Sequence, residues 1–328
     1  MLRIHFTCDD LARTTIAAGP DPLWELLLSL HVIQHGRGEL VYGPWRREAR
    51  RRLPRSAQLL FDLAPPRGYS PDFLTPTYGA TDLDEVLDAM RSTPRQQVRA
   101  ELEQLAGCKA MTPWIRRLAR ADSSVMRRLA DAMRGYYGNV LKPYWLSLNQ
   151  RVAVDRARRM RQLGDGGLDR LFGQLGPGVT WESPVLTVRG LRGGDIHLRG
   201  RGMTVLPSYF CWAAPTKLRD AELPPVLVHP IVHTPGDLRP DGTAATDQDV
   251  ALADLLGRTR SLALRAMARG CTTTELARAC DVRIAAASRH ATVLREAGLI
   301  TTRRRGGAAV HEITPLGAEL LDGGATQA

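Results

Sequence analysis

Residues 272–313 read TTTELARACDVRIAAASRHATVLREAGLITTRRRGGAAVHEI, and no other stretch restricts the fold of this chain as tightly. Thr272 and Glu275 form a Thr-x-x-Glu capping box, the signature of a helix start. Leu276, Ala277 and Cys280 give that short helix an apolar side. Asp281 stands where a tight turn needs a residue that tolerates a left-handed backbone. A second helix is predicted over 284–297. Its Ala287, Ala291 and Leu294 recur at i, i+4 and i+7, so they share the face that packs inward. Ala285, Ser288, Arg289 and Thr292 lie on another face, small or polar, open to a partner. Gly298 ends the helix. Two β-prone runs, 299–302 and 309–313, flank Arg303, Arg304, Arg305, Gly306 and Gly307. That order predicts a hairpin with a basic shoulder and a glycine turn.

Two short helices, a tight turn and a basic hairpin make a winged helix-turn-helix. Its physics suits double-stranded DNA: one helix enters the major groove, and the hairpin arginines meet phosphates or an adjacent minor groove. The candidate DNA contacts are Arg283, Ala285, Ser288, Arg289, His290, Thr292, Arg303, Arg304 and Arg305. A winged helix can also dock proteins, and a basic hairpin can simply be solvated.

The stretch resembles the ArsR/SmtB-type bacterial regulators. The matching residues are Glu275-Leu276-Ala277, Ser288-Arg289-His290 and Val293 through Leu299. The chain departs from that pattern at the turn, where Asp281 replaces the usual Gly. It departs again at Arg283, where Ser or Thr often caps the recognition helix. Ala277 and Ala279 stand where the metal-sensing subset has two cysteines, so that metal site is absent and Cys280 alone does not replace it. More widely, DPLWELLLSLH, YGPWRREARRRL, RGYSPDFLTP, LPSYFCW and LPPVLVHP resemble an actinobacterial set of regulators. These carry a large uncharacterised N-terminal domain before the winged helix. The resemblance implies architecture and no ligand.

Charge supports a polyanionic partner. The 328 residues carry a formal charge of +11, and the sequence pI is about 10.0. Lys109, Lys142 and Lys217 are the only lysines, so arginine supplies nearly all of the positive charge. Arginine makes planar, bidentate contacts to phosphate and guanine. A G+C-rich genome also enriches Ala, Arg and Gly, which explains any single arginine equally well. The five cysteines (8, 108, 211, 271, 280) are odd in number and form no Cys-x-x-Cys. They predict reduced thiols and a cytoplasmic protein. MLRIHFTCDD has no apolar core of a signal peptide, and the most apolar run, 23–33, is too short to span a membrane.

Leu2, Ile4 and Phe6 alternate with Arg3 and His5, as in a strand with one buried face. Asp21 caps a core helix with Pro22 at its first position. The segment 42–55 is strongly basic; a solvated helix face or a further DNA contact would each explain it. Helices are predicted over 82–90, 93–106, 113–120, 124–136 and 143–163, with a short one at 168–175. β-prone runs follow at 185–188, 195–198, 203–206, 209–212 and 226–232, as in a small antiparallel sheet that the opening strand can join. The expected fold class is α+β. A mostly helical N-terminal domain with a small sheet covers 1–240, the winged helix 241–322, and a disordered tail 323–328. The polar stretch 234–248 serves as linker.

Known catalytic and nucleotide-binding motifs are missing: no Gly-x-x-x-x-Gly-Lys-Ser/Thr, Gly-x-Gly-x-x-Gly after a strand, Gly-x-Ser-x-Gly or His-Glu-x-x-His occurs. The pairs His31/His35 and His229/His233 would each give two metal ligands, whereas a site needs three or four. The expectation is therefore no cofactor, no metal and no enzyme. It is a cytoplasmic, homodimeric, DNA-binding transcription regulator, with a small-molecule effector in the N-terminal domain. Candidate pocket residues are Trp24, Tyr69, Phe73, Tyr137, Trp145, Tyr209 and Phe210, against the ordinary alternative that they are core. A metabolite-acting enzyme with a DNA-binding tail, or a winged-helix docking module, are the competing readings.

Overall fold

The computed structural model describes residues 1–66, 68–76, 82–107, 111–120, 122–191, 193–220, 223–236, 238, 240, 247–268, 270–305 and 308–322. The predicted linker, the Gly306-Gly307 turn and the predicted tail lie wholly or partly outside these residues.

The chain opens with β1 (Leu2–His5), α1 (Cys8–Ala12), β2 (Thr15–Ile16), α2 (Pro22–Gln34), α3 (Glu39–Arg52) and α4 (Ala57–Leu63). Then come α5 (Leu83–Arg91), α6 (Arg95–Ala106), α7 (Pro113–Ala119), α8 (Ser123–Tyr136) and the long α9 (Trp145–Gly173). Five strands follow: β3 (Val179–Glu182), β4 (Val185–Val188), β5 (Gly194–His197), β6 (Thr204–Ser208) and β7 (Val226–Pro230). The C-terminal part holds α10 (Asp247–Leu256), α11 (Arg258–Met267), β8 (Cys271–Thr272), α12 (Thr273–Cys280) and α13 (Ile284–Glu296). It closes with β9 (Ile300–Arg305), β10 (Ala308–Ile313) and α14 (Pro315–Asp322). The class is α+β, mostly helical with small sheets. No helix among the described residues is long and apolar enough to cross a membrane.

Two compact units divide the chain. One comprises 1–34 and 52–232, the other 35–51 and 233–328. The division falls after residue 232, and 35–51, most of α3, groups with the C-terminal unit.

In the first unit Asp21 caps α2 as its sequence predicts: its Oδ1 accepts from the amides of Leu23 and Trp24 at 2.9 Å. The opening strand does join a sheet, and sits inside it. The order is β3-β4-β1-β5, with β1 antiparallel to β4 and parallel to β5. Leu2, Ile4 and Phe6 face a core shared with Leu171, Phe172, Leu186 and Val188. The expectation of one antiparallel sheet needs correction. β2, β6 and β7 form a separate, wholly parallel sheet. Every residue of β6 is buried, as is nearly all of β7. Strands covered on both faces read as continuous apolar runs, so their alternation was lost to the eye. The run 209–212 is not a strand. The amides of Tyr209 and Phe210 donate instead to the buried Glu25 carboxylate, at 2.8 and 3.0 Å. The change of texture at 164–167 is a kink in α9, where Gly166 and Gly167 leave helical geometry, Gly167 with φ 61°.

Candidate nucleic-acid interface

The C-terminal unit builds the predicted motif residue by residue. Thr272 Oγ1 accepts from the Glu275 amide at 3.2 Å, and Glu275 Oε2 accepts from the Thr272 amide at 2.8 Å. The capping box is thus reciprocal and starts α12. Asp281 takes φ 54°, ψ 44°, so it provides the left-handed turn that Gly usually supplies. Val282 N–H closes that turn onto Ala277 O at 3.0 Å. Arg283 is the residue before α13 and makes no side-chain cap. At the other end Gly298 has φ 71°, and Leu299 N–H returns to Leu294 O at 2.9 Å. This bond of the C-terminal turn leaves Leu299 buried over the core.

Ala287, Ala291 and Leu294 are buried against Leu264, Met267 and Leu276, which turns the opposite side of α13 outward. Ala285, Ser288 and Arg289 are exposed there, and Thr292 is half-buried. His290 does not share that face. It is half-buried on the far flank, close enough to Arg260 of α11 for that charge to act on it. Burial first, and then Arg260 and Arg289, hold its imidazole below the ordinary value. The hairpin is longer than its sequence suggests: β9 runs through Arg305, and β10 starts at Ala308. Arg303 and Arg304 are therefore strand residues, paired with Val310 and Ala309, and both are exposed. Arg305 pairs with Ala308 by its backbone.

Two residues of this surface escape sequence reading. Ile284 is spaced i, i+3, i+7 with Ala287 and Ala291, which sends it inward. Ile284 nevertheless stays 57% exposed in the first turn of α13. His311 lies in β10 and is buried. Its Nε2 and Nδ1 each sit 2.9 Å from a threonine hydroxyl, Thr273 at the start of α12 and Thr302 of β9. It ties the root of the wing to the first helix of the motif. Only the alternation of β10 around a polar residue hinted at this.

The helix-turn-helix and its wing carry a set of uncompensated arginines. Arg278, Arg283, Arg289, Arg295, Arg303 and Arg304 are exposed, and none makes an ion pair with a described residue. Elsewhere some arginines are neutralised, Arg91 by Asp88, Arg117 by Asp122 and Arg134 by Asp84, and others are exposed and unpaired among the described residues. On α3, Arg46 is buried between Glu39 and the Arg37 carbonyl, and Arg47 also reaches Glu39. The basic segment 42–55 is thus partly self-compensated. Burial pushes the Cys271 and Cys280 thiols up to about 11 and about 12, so neither is an activated thiolate.

The candidate pocket aromatics do not gather. Trp24, Phe73, Tyr209 and Phe210 are buried. Tyr69 is half-buried with the Arg219 guanidinium 5.2 Å from its ring centre. Tyr137 and Trp145 pack edge to face at 5.1 Å. None of the seven lines the cavity beside Pro224 and Pro225, the cleft beside Arg95 and Arg127, or the small cavity among Leu26, Leu30 and Met133. The histidine pairs have other partners: His31 meets Ser70 at 3.2 Å, His229 lies 3.7 Å from Asp155, and His233 meets Tyr42 at 2.9 Å. The described residues hold no group of three or more side chains fit for a metal ion.

Residues 252–303 match a family model described as a helix-turn-helix domain. The match runs from α10 into the first strand of the wing, and it supports a DNA-binding regulatory role. No curated protein and no solved structure matches the chain.

Proposed function

We propose that this protein is a transcription regulator of the ArsR-like winged-helix type that binds operator DNA as a homodimer and answers to a small ligand held by the unit of 1–34 and 52–232. One observation carries the DNA reading: the outward face of α13 and the first strand of the wing carry exposed arginines (Arg289, Arg303, Arg304) with no ion-pair partner among the described residues. Uncompensated guanidinium groups there meet phosphates and displace condensed counterions. The outward face of α13 presents small side chains beside Arg289, which allows close approach to base edges. Dimerisation rests on Leu255 and Leu316, which are 71% and 55% exposed on α10 and α14. Leu256, Leu320 and Leu321, by contrast, pack on the domain core. Two-fold pairing places two recognition helices about one DNA turn apart. The reading assigns no catalysis to the chain.

The test is selection of DNA sites from a random library by the purified full chain, followed by binding with and without metabolite extract. Enrichment of a motif with paired half-sites supports the reading. Failure to bind any duplex at low salt refutes it. Turnover in a broad substrate screen would refute the non-catalytic assignment alone.

A further inference from the structure

A cleft of about 650 Å³ opens between the end of α5 and the starts of α6 and α8. That volume lies in the range of small-molecule sites, roughly 300–1,000 Å³. Val98 and Met126, both buried, give it an apolar floor. Arg91, Arg95 and Arg127 line it, with Asp88 as the one acid among the lining residues. Asp88 is already taken by Arg91 at 2.8 Å. Acids on the neighbouring turns are taken as well, Asp84 by Arg134 and Asp122 by Arg117. Arg95 and Arg127 make no hydrogen bond or ion pair with a described residue. Serine and threonine hydroxyls complete the wall.

We infer that this cleft is a binding site for a small phosphate-bearing molecule with an apolar body. Two guanidinium groups with no partner among the described residues supply planar, paired donors, which suit the tetrahedral oxygens of a phosphate ester. An apolar floor has no use for a bare ion but adds affinity for a ligand that carries a hydrocarbon or aromatic part. The ligand contacts are then quite different from the aromatic set anticipated from sequence. The site rests on its own geometry and stands whether or not the chain binds DNA.

The experiment titrates the full chain by calorimetry with phenyl phosphate and with inorganic phosphate, at constant ionic strength. Arg95→Ala, Arg127→Ala, the double variant and Arg95→Lys are compared. All change exposed side chains, and thermal melts check that each variant folds. One phenyl phosphate per chain is expected, bound more tightly than inorganic phosphate. Each alanine should weaken it roughly tenfold, the value of one charge-assisted contact, and the double variant should abolish it. Arg95→Lys should recover part of the loss, because charge survives and the fork does not. No binding of either probe at millimolar concentration, or unchanged binding by the double variant, overturns the inference. So does random duplex DNA that displaces phenyl phosphate and binds the double variant as weakly as the probe does, which would make the cleft a backbone contact.

Discussion

Ile284 offers the sharpest test of how α13 meets DNA. Burying an isoleucine completely is worth about 1.5–3 kcal/mol. With 57% of the residue still open, roughly 1–2 kcal/mol of that remains to be gained on a partner. A single thymine methyl covers only part of it, close to one methylene, about 0.8 kcal/mol. Ile284→Ala is therefore expected to weaken binding to the selected operator roughly fourfold, since about 1.4 kcal/mol is tenfold. Replacing the contacted thymine by uracil removes the methyl from the other side and should cost the same. The two losses should not add: on the uracil operator, Ile284→Ala should change affinity little. Fluorescence anisotropy at fixed salt, with each thymine of the operator replaced in turn, measures the coupling directly. If Ile284→Ala weakens the thymine and uracil operators equally at every position, Ile284 does not read a methyl. The exposed isoleucine would then be a surface residue only.

Four further outcomes are expected. Arg289→Ala should lower operator affinity by about 1–3 kcal/mol and random-DNA affinity much less, whereas Arg304→Ala should weaken both and make the salt slope shallower by about one unit; equal losses for Arg289→Ala on both DNAs would make it a phosphate contact. Leu255→Glu with Leu316→Glu should convert a dimer to a monomer in light scattering, and a wild-type monomer at micromolar concentration with and without DNA would rule the dimer out. A Cβ on Gly317 would sit 2.2 Å from the Leu299 carbonyl and 2.7 Å from Ile313 Cγ1, so Gly317→Ala should destabilise the winged domain by about 1–3 kcal/mol in denaturant melts. Burial holds His229 down to about 4, opposed by Asp155. It is then neutral in the fold and protonated in the unfolded chain below about 6.5, so its own contribution falls as pH drops from 6.5 toward 4, by at most about 3 kcal/mol. Glu25 and Glu101, both raised to about 7 by burial, act with the opposite sign in the same window. The check is therefore the pH dependence of the stability difference between wild type and His229→Gln, and a difference that does not change with pH would refute this.

The helix-turn-helix was legible because its determinants are local. A capping box, a left-handed turn residue and a glycine stop each act within a few residues, and all three take the geometry their sequence predicts. The alanine and leucine stripe of α13 was equally plain, since a single buried face imposes helical spacing. Ile284 shares a helical spacing with Ala287 and Ala291 and is nonetheless exposed, since spacing within one helix does not record what packs against it. The sheets of the other unit were harder to read because their order depends on distant pairing. β1 meets strands about 180 residues away, and the parallel direction of β6 and β7 leaves no hairpin turn to betray it. The segment 209–212 has every mark of a strand. What keeps it out of a sheet is a carboxylate on α2, at Glu25, which satisfies two of its amides from 184 and 185 positions away. No pattern within the segment records that.

Arginine shows the same limit from the side of function. Its abundance along the chain does not say which residues face a partner, because a guanidinium can equally close an ion pair within the fold. Partner choice sorts them. Arg46 is buried beside Glu39, Arg159 beside Asp155, and Arg134 spans from α8 to Asp84 on α5. Such residues act within the fold, and for the buried Arg159–Asp155 pair removing one partner leaves the other charge stranded. Arg289, Arg303 and Arg304 have no such partner among the described residues, and no acid sits on the outward side of α13 between Ile284 and Arg295. A positive surface left uncompensated costs self-repulsion in the free protein, and a polyanion relieves it. His311 gives that surface its shape. By joining Thr302 of the wing to Thr273 of α12 from a buried position, it fixes the wing arginines relative to the helix-turn-helix. Under the proposed function, charge without that tie would bind phosphate at any spacing, and charge held in register with α13 is what would distinguish one duplex from another.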